Sequence, residues 1–78
     1  MDETIERHAQ GLYVAIRDGA TIEHLRLSPE TLLEAVMDRV RELAKDDGVW
    51  LVVKREIVDG RVRYRLRRRR PDEYRVYA

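Results

Sequence analysis

Apolar residues follow two different periods along this chain. Leu33, Val36, Met37, Val40, Leu43 and Ala44 recur three and four apart, with Leu32 at their margin, and such spacing gathers side chains on one side of an α-helix. The segment opens with Ser28-Pro29-Glu30, where serine offers a capping hydroxyl, proline is preset for the first helical position and glutamate complements the dipole. A helix from about Pro29 to Asp46 is therefore predicted. Glu30, Glu34 and Asp38 come early on its polar side and Arg39, Arg41 and Lys45 late, as the dipole favours. Gly48 can close it in a left-handed conformation, with Asp46 and Asp47 as exposed capping residues.

Elsewhere the period is two. Leu12, Val14 and Ile16 alternate with Tyr13, Ala15 and Arg17, which predicts a half-buried strand turning at Arg17-Asp18-Gly19-Ala20 into a second strand, about Thr21 to Leu27. Asp18-Gly19 suits a two-residue turn or a three-residue loop, so the register of this hairpin stays open. Val49 to Val58 and Arg61 to Arg70 flank Asp59-Gly60, and a two-residue turn there gives one consistent register. It pairs Ile57 with Val62, Arg55 with Tyr64 and Val53 with Leu66 on the face meant for the helix. The other face pairs Val58 with Arg61, Glu56 with Arg63, Lys54 with Arg65, Val52 with Arg67 and Trp50 with Arg69. Arg68 and Arg70 fall at the end of the core face, where the sheet is expected to fray or twist away.

The ends read less sharply. Asp2 to Gln10 is taken as a short helix capped by Asp2 and stopped by Gly11, an edge strand over Thr4 to His8 being the alternative. Pro71-Asp72 breaks the last long strand, and the alternation of Tyr74 to Tyr77 predicts a short fifth one.

Together these elements predict an α+β fold: one central helix on a mostly antiparallel, four- to five-stranded sheet, in the order hairpin, helix, hairpin. The chain of 78 residues is expected to form a single domain over 1–78, divided into an N-terminal segment 1–11, a hairpin 12–27, a helix 28–47, a basic hairpin 49–70 and an edge strand 72–78. A domain of that size buries only about 60% of the surface its unfolded chain exposes. Without cysteine, neither disulfides nor thiolate metal sites supplement the core. No run approaches the roughly 20 apolar residues that span a bilayer, and the acidic start, Met1-Asp2-Glu3-Thr4-Ile5-Glu6, is unlike a signal peptide. A soluble protein of cytoplasmic type, with no membrane partner, is the expectation.

Hairpin, helix, hairpin over about residues 12 to 70 is similar in element order to the immunoglobulin-binding domain of protein G and, more loosely, to β-grasp folds. The likeness is one of order, and no antibody-contacting residue carries over. Ser-Pro-Glu at the helix start, Asp-Gly at each hairpin, a glycine helix stop, absent cysteine and phenylalanine, and charge-filled surfaces resemble computationally designed, de novo proteins. His8, Gln10, His24 and the unbroken Arg67 to Arg70 depart from that style. An arginine-rich protein from a GC-rich genome or its virus shares the same traits.

Charge changes the picture further. Residues 1–48 carry 6 Lys and Arg against 11 Asp and Glu, whereas residues 49–78 carry 10 against 4. Fourteen of the cations are arginine, whose guanidinium grips carboxylates and phosphates with two bonds and stacks on aromatic rings. The predicted register sets Arg61, Arg63, Arg65, Arg67 and Arg69 on one face beside Trp50, Val52 and Lys54. These eight residues are the candidate binding face. Such a face can hold a nucleic-acid backbone or an acidic protein surface, or simply solvate an exposed sheet and blunt its edge. Lys54 opposite Arg65 favours a bound anion, since like charges across strands are destabilising. Trp50 is expected to be covered by Ile5 and Ala9, by Tyr74 and Val76, or by the Arg69 guanidinium, and to be a binding hot spot otherwise.

Catalytic chemistry is poorly supplied. His8 and His24 lack metal-ligand spacing, Ser28 is already used as a cap, and no carboxylate lies in an apolar run that would raise its pKa. The arginine tetrad at 67–70 is split between two faces by strand alternation, which weakens it as a linear signal. The reading is thus a non-catalytic protein without metal or cofactor, a designed scaffold or binding module. The alternative is a natural, viral-type protein that binds nucleic acid or a nucleic-acid-handling partner. It is expected as a monomer or as a weak homodimer through an edge strand, that edge being the strand from Leu12 or the last one.

Overall fold

The computed structural model describes residues 2–74. Along them run α1 (Glu3–Arg17), β1 (Ile22–Leu25), α2 (Glu30–Asp46), β2 (Leu51–Val58), β3 (Arg61–Arg68) and a short 3-10 turn (Pro71–Tyr74). The strands form one three-stranded antiparallel sheet in the order β1-β3-β2. The α+β class stands, with two helices and three strands among the described residues, and over these the expected hairpin-helix-hairpin order is not found. Tyr74 closes the 3-10 turn, and the rest of the predicted fifth strand lies outside the described residues.

The largest correction is α1. Leu12 to Arg17, predicted as a strand, is helical, because Ile5, Ala9, Leu12, Tyr13 and Ile16 also recur four and three apart and that set has a partner in α2. Ala9 and Ile16 are fully buried, whereas Val14, assigned inward by the strand reading, is 39% exposed. Gly11 does not stop the helix; it sits within it, facing open space. Asp2 does cap it, its Oδ1 accepting from the Thr4 amide at 2.8 Å. The end comes at Gly19, with φ +106°, whose amide donates to Ile16 O at 3.0 Å while the Ala20 amide donates to Ala15 O at 2.9 Å. Asp18-Gly19 is therefore a helix stop, not a hairpin turn. The following strand, shortened to Ile22–Leu25, pairs with β3, setting Ile22 opposite Leu66 and Leu25 opposite Tyr64 with a bulge between.

α2 matches its expected span with one difference at the start. Pro29 is the extended cap residue, and no side chain caps the helix, so Ser28 does not play the role assigned to it. Proline in that extended conformation moves the serine one position out of the helix. Glu30 acts elsewhere, its Oε1 accepting from the Val62 amide at 3.2 Å. Gly48, with φ +70°, ends α2 as expected, and the Val49 amide reaches Ala44 O at 2.8 Å.

The core lies between the two helices and one face of the sheet. Ala9 and Ile16 of α1 and Leu33, Val36, Met37 and Val40 of α2 meet Val62, Tyr64 and Leu66 of β3. All three buried sheet residues belong to the central strand, and β1 and β2 contribute the partly buried Ile22, Leu25, Leu51 and Val53 around them. Polar ties fix the layers. Tyr64 donates its hydroxyl to Glu34 Oε2 at 2.7 Å, Tyr13 donates to Asp47 Oδ2 at 2.6 Å, and Arg68 Nη1 reaches Arg17 O, the last carbonyl of α1, at 3.0 Å. Arg68 thus sits on the helix side as expected, and the strand stays paired there, Arg68 opposite Leu51.

Arg39 grips Glu6 with two bonds, Nε to Oε2 at 2.7 Å and Nη2 to Oε1 at 3.1 Å, joining α2 to α1. Those bonds, with a further one from Gln10, lower the Glu6 carboxyl from 4.5 to about 2. Hydrogen bonding by Tyr64 and Arg55 outweighs partial burial to lower Glu34 as well. A carboxyl whose folded pKa is depressed stabilises the fold above its unfolded pKa and loses that contribution as pH falls toward the folded value. The thermal midpoint should therefore be steady near neutrality and decline from about pH 4.5 toward pH 2, as seen by circular dichroism. Glu6→Gln should lower the midpoint at pH 7 and flatten that acid limb. An unchanged limb would mean the clamp is not made.

Candidate functional site

Because both helices pack on one side, no described element covers the other side of the sheet. The observed register is the expected one: Val58 opposite Arg61, Glu56 opposite Arg63, Lys54 opposite Arg65 and Val52 opposite Arg67. At the far end the Arg69 amide donates to Trp50 O at 2.7 Å. All eight candidate residues, Trp50, Val52, Lys54, Arg61, Arg63, Arg65, Arg67 and Arg69, therefore belong to this uncovered face or its end. Successive outward arginines of β3 stand two residues apart, about 6.6 Å along the strand.

They are not equivalent. Arg63 Nη2 donates to Glu56 Oε2 at 3.3 Å, and the two side chains are only 23% and 20% exposed. Burial pushes the Glu56 carboxyl up, but Arg63 together with Lys54 and Arg65 pulls it below its ordinary value. Glu56 Oε1 and Arg63 Nε are buried without a partner among the described residues. This pair is structural, at the centre of the face. Arg65 Nη2 lies 3.8 Å from Glu23 Oε1 on β1, a looser and more exposed contact. Arg67 Nη1 donates to Arg68 O at 3.3 Å. Lys54 and Arg61 are exposed, and their side chains make no hydrogen bond or ion pair among the described residues.

Trp50 is 59% exposed, which corrects the expectation that Ile5 and Ala9 cover it: Ala9 is in the core and Ile5 packs against it. The Arg69 guanidinium carbon stands 5.7 Å from the indole centroid, over one ring face only. Beside the indole, where α2 passes into β2, an open groove of about 260 Å³ is lined by Ala44, Val49 and Leu51 and rimmed by Arg41 and Lys45. The groove was not legible in the sequence, since it depends on how α2 ends against the start of β2. Glu23 was missed as well, because its strand was paired with the wrong neighbour.

Chemically the face offers spaced cations with one exposed aromatic at its end, and the apolar recess lies beyond that end on the helix side. His8 and His24 are both exposed. Among the described residues no helix is long and apolar enough to cross a membrane. Comparison with protein-family models, curated proteins and solved structures finds no match.

Proposed function

We propose that this chain is a non-catalytic binding domain that lays a single-stranded nucleic acid across its outer sheet face. The observation that carries this reading is a sheet that the described residues cover on one side only, with Lys54, Arg61, Arg65 and Arg67 on the other side and Trp50 exposed at its end. Guanidiniums spaced along one strand suit successive phosphates of an extended backbone, and an exposed indole stacks on a base whatever its identity. Lys54 opposite Arg65 supports the same view, since an anion between them relieves a repulsion the fold otherwise bears. Single strand is favoured over duplex because no helix or ribbon among the described residues projects from this face to enter a groove. The traits of a designed protein concern origin and leave this surface chemistry unchanged.

The test is fluorescence anisotropy of a labelled single-stranded oligonucleotide titrated with the protein at about 50 and 200 mM salt, the range over which counterion release is visible. Binding that weakens steeply with salt is expected. No binding at the lower salt would remove the proposal and leave the arginines as the solvated side of a sheet.

A further inference from the structure

β2 is an edge strand of eight residues with nothing along its open side among the described residues. Asp59 and Gly60, with φ of 53° and 75°, form a two-residue turn, so Val58 and Arg61 exchange backbone bonds across it. Alternation then points the amides and carbonyls of Val52, Lys54 and Glu56 at β3, and those of Leu51, Val53, Arg55 and Ile57 outward. The same rule turns the Val62 amide toward the opposite edge, where Glu30 receives it. The opposite edge strand, β1, has four residues, whereas the β2 edge has eight and is open among the described residues. It is neither of the two edges the sequence pointed to.

We infer that β2 pairs antiparallel with β2 of a second copy, about a two-fold axis at Arg55, to make one six-stranded sheet. The pattern of residues selects this register. With the axis at Arg55, Lys54 meets the partner's Glu56 and Glu56 meets the partner's Lys54, while Val52 meets the partner's Val58 and Val53 the partner's Ile57. An axis at Lys54 or at Glu56 sets like charges against each other, and an axis at Val53 leaves both charges opposite uncharged residues. Opposite charges and β-branched pairs directly across strands are each stabilising, and a two-fold contact needs such self-complementarity. Ile57, 65% exposed in the single chain, gains cover. Glu56, with Oε1 unpartnered, gains a facing cation. Arg55 opposes the partner's Arg55, but each is held by its own Glu34, Nε to Oε1 at 3.3 Å. Two of the charges that blunt the edge against other strands, Lys54 and Glu56, are in this register complementary.

The pairing axis stands perpendicular to the sheet, so both basic faces lie on the same side. Sedimentation equilibrium over a range of protein concentrations tests the inference without nucleic acid. The chain should pass from one-chain to two-chain mass as concentration rises. Lys54→Glu, at an exposed position, sets glutamate against the partner's Glu56 and should stay monomeric with its helical circular dichroism retained. Val53→Pro removes an outward amide at a partly buried position and, with its helical circular dichroism retained, should also be monomeric. A one-chain mass for the unaltered protein at every concentration, or a two-chain mass for folded Lys54→Glu or Val53→Pro, would overturn it.

Discussion

Leu33→Ala is expected to lower the unfolding free energy by about 2–5 kcal/mol, out of a total near 5–15 kcal/mol for a domain, and thereby to leave the protein marginal or unfolded at 37 °C. Leu33 is fully buried in the first turn of α2, in the cluster that joins Ala9 and Ile16 of α1 to Val62, Tyr64 and Leu66 of β3. Three elements share this one cluster. Removing its side chain leaves a void that none of them can fill alone, since α1 and the sheet are both held at fixed distance by the Arg39 clamp and the Tyr64 bond. Urea unfolding followed by circular dichroism measures the change. The midpoint should fall with its slope unaltered, because the area exposed on unfolding barely changes. Leu32→Ala, at the partly buried margin, should cost clearly less. Equal effects would mean that α2 presents a different face to the core.

The contrast between α1 and the β2-β3 hairpin shows what the sequence can and cannot decide. In the hairpin, side-chain alternation, turn chemistry and cross-strand partners all point to one register, and that register is observed. Over residues 12–17 two periods share Leu12 and Ile16. What separates them is Ala9 and Tyr13, both buried, which only the helical period includes. Their value depends on α2 being there to receive them, a tertiary fact. Gly11 and Asp18-Gly19 then misdirect, because glycine is tolerated inside a helix at a modest cost and Asp-Gly suits a helix end as well as a hairpin. The candidate face was legible as a set of residues. Its electrostatics were only half legible, because Glu23 reaches Arg65 through a β1-β3 pairing that the first error concealed.

That partial neutralisation sets the second large effect. If Lys54, Arg61, Arg65 and Arg67 each meet a phosphate, four contacts give a salt slope near −2.8, hence a loss of about 50-fold in affinity for single strands between 50 and 200 mM salt. Replacing Arg61, Arg65 and Arg67 together by glutamine should bring the slope to about −0.7 and the loss over that range to about 3-fold, with affinity at low salt reduced most. Trp50→Ala should behave oppositely, weakening binding by about 1–3 kcal/mol while leaving the slope alone, since stacking releases no counterions. Arg63 separates a charged face from a chance cluster of arginines. Its guanidinium is engaged with Glu56 in the half-buried centre of the sheet, so Arg63→Gln should lower thermal stability by stranding that carboxylate and change the slope little. Five cations contributing equally, Arg63 among them, would mean that the strand is drawn to total charge and not to the arrangement of these residues.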